Sequence, residues 1–278
     1  PDNPNEAIFG NDGGVFYSAD IGDAVNPDFI ARNKNYNVTQ FYAAAAVNEE
    51  LSNEFLAGAQ DNGSQRFLAS GLNSTEEATG GDGAFCHIDQ DDANFQITSY
   101  VYSNYYLSTD HGNSFSTLND DNSNVGRFIN PTEYDSKANI LYGAAGNNQI
   151  TRITDVTGNP SSMATVTVDL EGKAITTIKA SPYTDNTLFV GVNSNEGYIF
   201  KIENADTSNP TVTNITGNFN ASSGVWLSSI DVGESEDQLL ITYSNYGVNS
   251  VFETEDGGAN WTSKEGDLDD FPVYGAIY

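Results

Sequence analysis

The chain has 278 residues and is strongly acidic: 39 Asp and Glu stand against 10 Lys and Arg, a formal net charge of −29. This balance excludes nucleic acid as a partner, because phosphate binding needs a basic surface, and it also argues against direct contact with anionic membranes. A single cysteine, Cys86, rules out an intrachain disulfide, and with only two histidines the chain is poorly suited to the usual kinds of zinc site.

The residue usage predicts strands and turns. Tyr and Phe contribute 15 residues each against one Met, and 26 glycines accompany many Asn, Ser and Thr residues. No window shows the helical spacing of apolar residues, and no apolar run approaches the length of a membrane-spanning helix. We therefore predict an all-β protein, in which Ala43–Ala46 also belongs to a strand.

Three segments along the chain share the pattern Ser/Thr-x-Asp-x-Gly-x-x-aromatic. The first copy lacks the aromatic residue, since Val25 takes its place. An Asp side chain can accept hydrogen bonds from backbone N–H groups a few residues on, and Gly relieves a turn where φ becomes positive, so each segment predicts a tight turn. The motif positions are Ser18, Asp20 and Gly22; Ser108, Asp110, Gly112 and Phe115; and Thr254, Asp256, Gly258 and Trp261.

This pattern resembles the Asp-box (BNR) repeat of a family that includes sialidases, sortilin-type receptors and xyloglucanase-type glycosidases. The resemblance implies a β-propeller, in which the box forms the turn between the third and fourth strands of a blade and the closing aromatic residue packs inward. It also implies a secreted or cell-surface protein. The box aspartates then have a structural role rather than a catalytic one.

The spacing of the motifs indicates the number of blades. Ser108 follows Ser18 by 90 residues, and Thr254 follows Ser108 by 146. These distances fit two and three units of the roughly 40–50 residues expected for one blade. Strand-like runs fill the blades that lack a box, for example 175–180, 187–192, 198–202 and 211–215. We predict a β-propeller of about six four-stranded blades, with seven blades or a piece of a larger multi-propeller protein as alternatives.

The two ends of the chain predict how the ring closes. Residues 6–10 have the pattern of the second strand of a blade, and residues 273–278 have that of an inner strand without a blade of its own. Pairing the two would complete one blade and remove exposed sheet edges. We therefore predict one propeller domain over residues 1–278, whose first blade is completed by the C-terminal strand 273–278.

Functional residues are expected on the face opposite the boxes. In a blade, the loops from the second to the third strand share that face with the loops between blades, and here they are rich in Asp, Asn and Gly. Amide and carboxylate groups pair with sugar hydroxyls, and an aromatic ring can cover a pyranose face. The alternative is that these residues only form turns. The ligand-binding candidates are Asp12, Gln60, Asp61, Asn62, Asp82, Asn245 and Tyr246.

Two enzyme types of this family fit the sequence poorly. Sialidases of this fold hold their substrate with three arginines, whereas this chain has four arginines in all and lacks the Arg-Ile/Leu-Pro motif. Among these arginines, Arg127 is expected to form a structural ion pair. The xyloglucanase type builds its cleft between two tandem propellers, and this chain has room for one.

A structural Ca²⁺ is a further hypothesis, because Ca²⁺ takes oxygen ligands and the chain has dense acidic clusters. Neither cluster follows the EF-hand pattern, so solvated turns are the default interpretation. The candidate ligands are Asp89, Asp91 and Asp92, and Asp267, Asp269 and Asp270.

We therefore favour a secreted or cell-surface propeller that acts as a non-catalytic binding or structural module for a glycan or a protein partner, without a cofactor. The alternative is a glycoside hydrolase of the xyloglucanase type, or a piece of one, in which two of Asp12, Asp61 and Asp82 act as acid and base. The separation of these carboxylates distinguishes the two hypotheses.

Overall fold

The computed structural model describes residues 3–11, 14–23, 25, 27–33, 39–71, 73–194, 197–219 and 225–278. Within these ranges all regular secondary structure is β-strand. The strands are β1 (Ala7–Asn11), β2 (Gly14–Ser18), β3 (Ile30–Ala31), β4 (Ala43–Ala46), β5 (Phe55–Ala59), β6 (Gly63–Phe67), β7 (Glu76–Thr79), β8 (Cys86–Ile88), β9 (Gln96–Ser99), β10 (Tyr105–Ser108), β11 (Ser116–Asn119), β12 (Thr132–Asp135), β13 (Ile140–Ala144), β14 (Gln149–Ile153), β15 (Ala164–Thr167), β16 (Ile175–Ala180), β17 (Leu188–Val192), β18 (Ile199–Glu203), β19 (Thr211–Asn214), β20 (Leu227–Val232), β21 (Leu239–Tyr243), β22 (Val251–Thr254) and β23 (Thr262–Ser263).

Consecutive strands form six antiparallel sheets. The first, β1–β3, has three strands, and the other five have four each: β4–β7, β8–β11, β12–β15, β16–β19 and β20–β23. The first strands of successive sheets contact one another, β4 with β8, β12 with β16 and β16 with β20. These inner strands therefore surround a common channel. The predicted all-β propeller of six blades is confirmed.

The core lies in the seams between neighbouring blades. Four apolar clusters each join two consecutive sheets, from the second sheet through to the sixth. In the fifth sheet all five residues of β17 are buried. This follows from the alternation of side chains along a strand, because a sheet packed on both faces buries both alternating sets.

The predicted strands 6–10, 175–180, 187–192, 198–202 and 211–215 lie within about one residue of the observed ones. Strand β16 begins and ends where the sequence pattern places it, whereas no strand is assigned to residues 273–278. The inner strands β16 and β20 each carry a register shift next to their first residue, at Thr176 and Ser228. Such a bulge cannot be predicted from a simple alternation of apolar and polar residues.

The C-terminal segment 273–278 runs beside β20. The Val273 N–H donates to the Tyr243 carbonyl at 3.0 Å, the Ala276 N–H to Ser229 Oγ at 3.3 Å, and the Tyr278 N–H to Asp231 Oδ2 at 3.1 Å. Among the described residues no backbone hydrogen bond joins this segment to β1. Completion of the first blade by residues 273–278, within a single domain over 1–278, stays a prediction.

Candidate functional site

The three Ser/Thr-x-Asp-x-Gly segments form turns between the last two strands of their sheets. In the second and third copies, the Ser108 and Thr254 hydroxyls donate to the following Asp carboxylates at 2.8 and 2.9 Å. The same hydroxyls accept the N–H groups of Gly112 and Gly258 at 2.8 and 3.0 Å. Both glycines have positive φ, +72° and +90°. The hydroxyl therefore bonds to both arms of the turn.

The box carboxylates also hold the far side of these turns. Asp110 accepts both the N–H and the hydroxyl of Ser114, at 2.9 and 2.6 Å. These bonds, with the Ser114 hydroxyl contributing most, lower the pKa of Asp110 to about 2. Asp256 accepts from Asn260 in the same way, which also lowers the pKa of Asp256. All of these hydrogen bonds stabilise the turns themselves.

The first copy departs from this arrangement. The Ser18 hydroxyl donates to Asp20 at 3.2 Å, and Asp20 accepts the N–H of Asp28 at 2.9 Å, eight residues on. Val25 is 91% exposed, whereas Trp261 in the third copy is 7% exposed. The closing residue of the first copy is therefore not packed inward.

The predicted ligand-binding residues that the structure describes lie at the opposite end of the sheets from these turns, which we call the loop face. It is formed by the connections from the second to the third strand of each blade and by the connections between blades. Because the strands are antiparallel, the Asp-containing turns lie at the other end.

Four predicted residues meet on the loop face where the β5–β6 turn touches the segment before β8. The Asp61 N–H donates to Asp82 Oδ1 at 2.9 Å, and Asp61 has a φ of +62°. Gln60 Oε1 accepts the Tyr42 hydroxyl at 2.8 Å, and the Asn62 amide donates to the Gln60 carbonyl at 3.2 Å. The carboxylate of Asp82 thus stabilises a turn, while the Asp61 side chain is exposed.

The other predicted residues lie apart from these four. Asn245 Oδ1, in the β21–β22 loop, accepts the Trp226 N–H at 2.5 Å. The neighbouring Tyr246 is 76% exposed and packs edge-on against Phe271, with ring centroids 6.2 Å apart. Asp12 lies outside the described residues. The predicted set therefore forms two groups on one face.

Sequence reasoning missed a cation–aromatic contact beside the second group. The Arg127 guanidinium lies 4.5 Å from the centre of the Trp226 ring, and its Nε donates to the Ile175 carbonyl at 3.0 Å. Arg127 was expected to form an ion pair, but in the described part of the chain no carboxylate lies within 4.0 Å of it. The sequence around neither residue carried a signal for this contact. We call Arg127, Trp226, Tyr246 and Phe271 the aromatic patch.

Of the two acidic clusters, the one around Asp89 forms a turn, and the side chains of Asp267, Asp269 and Asp270 are exposed. Asp89 Oδ1 accepts the N–H groups of Asp91 and Asp92 at 2.8 and 3.1 Å, and its Oδ2 accepts the Tyr134 hydroxyl at 2.7 Å. Over the residues that the structure covers, no group of three or more His, Cys, Asp or Glu side chains is arranged to hold a metal ion. The structural Ca²⁺ stays a prediction. The same residues contain no helix able to cross a membrane.

The blades and their loop face define a β-propeller, and solved propeller structures are similar to it. YCF48 bound to a D1 peptide is 10% identical with a TM-score of 0.60, and the match covers 95% of this chain and 79% of that one. YCF48 from Cyanidioschyzon merolae is 11% identical with a TM-score of 0.59, covering 97% and 83%.

The GH74 xyloglucanase from Xanthomonas campestris is 12% identical with a TM-score of 0.58. The match covers 93% of this chain but 43% of the xyloglucanase, so the chain spans less than half of that enzyme. No protein-family model and no curated protein matches the chain. At these identities the likeness establishes the fold alone.

Proposed function

We propose that this chain is an extracellular, non-catalytic binding propeller that holds a glycan chain against the aromatic patch of its loop face. The observation that carries the proposal is the exposure of aromatic residues on two hydrogen-bonded segments of the loop face: Trp226 is 38% exposed, Phe271 59% and Tyr246 76%, and the Trp226 N–H donates to Asn245, the neighbour of Tyr246. Large exposed apolar side chains that cluster are a feature of interaction sites.

The chemistry of the patch suits a sugar. An aromatic ring can cover the apolar face of a pyranose, while carboxylate and amide groups pair with hydroxyls. Tyr246 presents its ring because Phe271 packs against it edge-on. Asp61 and Asn62 offer polar groups on the same face. The Asp-box resemblance and the fold likeness to a xyloglucanase support a polysaccharide as the ligand.

A glycoside hydrolase is the alternative, and it requires two carboxylates on opposite sides of the scissile bond. Of the acidic candidates, Asp82 accepts the backbone N–H of Asp61 and so serves the turn. The non-catalytic function is therefore the one we propose.

A glycan array followed by titration calorimetry tests the proposal. Trp226→Ala and Tyr246→Ala should each weaken binding of the best glycan at least tenfold, about 1.4 kcal/mol, because each removes a stacking surface. Tyr183→Ala is the matched control, since Tyr183 is 51% exposed but lies in the β16–β17 turn at the opposite end. Its affinity should equal that of the unchanged protein.

Two results would contradict the proposal. If no glycan on the array binds, glycans are excluded as the ligand. A protein partner then becomes the favoured ligand, as in the complex of YCF48 with a D1 peptide. Release of reducing ends from a bound polysaccharide, abolished by Asp61→Asn or Asp82→Asn, would instead establish the hydrolase.

A further inference from the structure

A cavity of about 320 Å³ lies between the inner strands, away from the aromatic patch. Strands β4, β8, β12 and β16 provide its walls, and Gln90 and Ser136 line it from the turns that follow β8 and β12. These turns are at the end of the sheets opposite the loop face. The volume is at the lower end of the range for small-molecule sites.

The four alanines of β4 explain why the cavity exists. The inner strands facing β4 carry long polar side chains, His87, Glu133 and Lys179, and all three line the cavity. Ala43, Ala44 and Ala45 line it from β4 without filling it. One wall is thus small and apolar, and the facing wall is polar.

The cavity holds one ammonium group and one carboxylate that are close but not hydrogen-bonded. Lys179 Nζ lies 3.9 Å from Glu133 Oε1 and 3.6 Å from Asp231 Oδ1, both beyond hydrogen-bonding distance. Glu133 Oε1 accepts the Ala180 N–H at 3.2 Å, and burial raises the pKa of Glu133. Lys179 therefore has N–H donors available, and the second oxygen of Glu133 can accept.

The imidazole of His87, the second basic group of the lining, is uncharged at neutral pH. His87 Nε2 lies 2.9 Å from the hydroxyl of Thr132. Burial, with the positive charge of Lys179 as a smaller cause, lowers the pKa of His87 to about 4. The cavity therefore presents Lys179 and Glu133 beside a neutral imidazole, with a second carboxylate, that of Asp231, 3.6 Å from Lys179.

We propose that this cavity binds a small zwitterion of the amino-acid class, whose carboxylate pairs with Lys179 and whose ammonium group pairs with Glu133. A ligand with both charges can lie between Lys179 and Glu133 and give each of them a counter-charge. A ligand that carries only an ammonium group competes with Lys179 for Glu133 and leaves Lys179 with Asp231 alone, whereas a ligand that carries only a carboxylate leaves Glu133 without a counter-charge. The alanine wall, with Ile178, takes an aliphatic side chain.

Titration calorimetry with L-leucine and L-alanine tests the site, and two leucine derivatives test the charge requirement. L-Leucinamide lacks the carboxylate and N-acetyl-L-leucine lacks the ammonium group. We expect an unmodified amino acid to bind and each derivative to bind at least tenfold more weakly. D-Glucose, a neutral polyol of comparable size, should not bind.

Protein variants locate the site. Lys179→Met and Glu133→Gln should each weaken amino-acid binding at least tenfold. Lys201→Met is the matched control, because Lys201 also lies near two carboxylates, Glu203 at 3.7 Å and Glu236 at 2.8 Å, but on β18 outside the cavity. Thermal unfolding followed by circular dichroism checks that each variant is folded.

Three outcomes would overturn the proposal: no binding of either amino acid, equal binding of L-leucine and its derivatives, or binding of D-glucose alone. If Lys179→Met does not fold, the ligand derivatives still decide the charge requirement with the unchanged protein. Glycan binding at the aromatic patch should be the same with and without the amino acid. Failure of the cavity proposal can therefore be distinguished from failure of the proposed function.

Discussion

At the scale of single residues, the Asp110 carboxylate makes the stability of the protein depend on pH. Its pKa is near 2 in the folded chain against about 3.8 ordinarily. The unfolded chain therefore takes up the proton at the higher pH, so the stability that Asp110 contributes is complete above about pH 4. This contribution is lost as the pH falls from about 4 towards 2.

We expect Asp110→Asn to unfold at lower urea concentration at pH 7, because the amide cannot replace both carboxylate acceptors. The variant should also lose less stability than the unchanged protein between pH 4 and pH 2. Urea unfolding at several pH values measures both effects, and exposed Asp120→Asn is the control. An acid dependence parallel to that of the unchanged protein would refute the role of this carboxylate.

Two glycines with the same backbone angle allow the cost of backbone strain to be measured separately from the cost of side-chain crowding. Gly112 and Gly247 both have a φ of +72°. A Cβ at Gly247 would meet no atom within 4 Å, whereas one at Gly112 would collide with the side chain of Gln96 and lie 3.2 Å from Arg66 Nε.

Gly247→Ala should cost about 1–2 kcal/mol from the left-handed backbone alone. Gly112→Ala should cost about 1–3 kcal/mol more, because the turn is also overpacked. Urea unfolding at neutral pH gives both values. Equal losses would show that the turn around Gly112 relaxes without cost.

At the scale of strands and turns, arginines connect one blade to the next. Arg66 on β6 is nearly buried and donates to Asn113 Oδ1 at 3.1 Å and to the His111 carbonyl at 2.7 Å, both in the turn of the following blade. Arg152 on β14 donates to the carbonyls of Ala205 and Thr207 in the same relative place. The third strand of one blade thus holds the last turn of its neighbour.

We expect Arg66→Met to lower the free energy of unfolding by about 2–3 kcal/mol, since it removes hydrogen bonds from a charged donor. Arg66→Lys should recover only part of this loss of stability, because an ammonium group cannot reproduce the planar set of N–H donors of a guanidinium. Arg32→Met, at an exposed arginine packed on Tyr17, should change stability by less than about 0.5 kcal/mol. A loss for Arg66→Met no larger than this control would contradict the role.

The strands were predictable where alternation is regular and the ends are marked by turn residues, as at β16. Asp61 and Asp82 were also placed on one face, because repeat topology fixes which loops meet. The contact of Arg127 with Trp226 was not predictable. It joins residues from two blades that are not neighbours along the ring, and nothing in either local sequence specifies the approach.

At the scale of the whole molecule, we predict that the last six residues close the ring. Residues 273–278 are held to β20 by bonds of Val273, Ala276 and Tyr278 to Ser228, Ser229 and Asp231, and β1 is an edge of the only described sheet with three strands. We expect deletion of 273–278 to increase amide hydrogen exchange in both β20 and β1. Exchange that increases in β20 alone would show that the segment does not complete the first blade.

Cys86 supplies a means of timing the separation of two blades. Its side chain is 3% exposed on β8, packed with Val47 and Leu56 between the second and third sheets, and burial raises the pKa of its thiol to about 12. Since the thiolate is the reactive form, a thiol reagent can label the folded chain only during transient opening. As the chain has one cysteine, the labelling rate of the unmodified protein reports directly how often this seam opens, without any engineered probe.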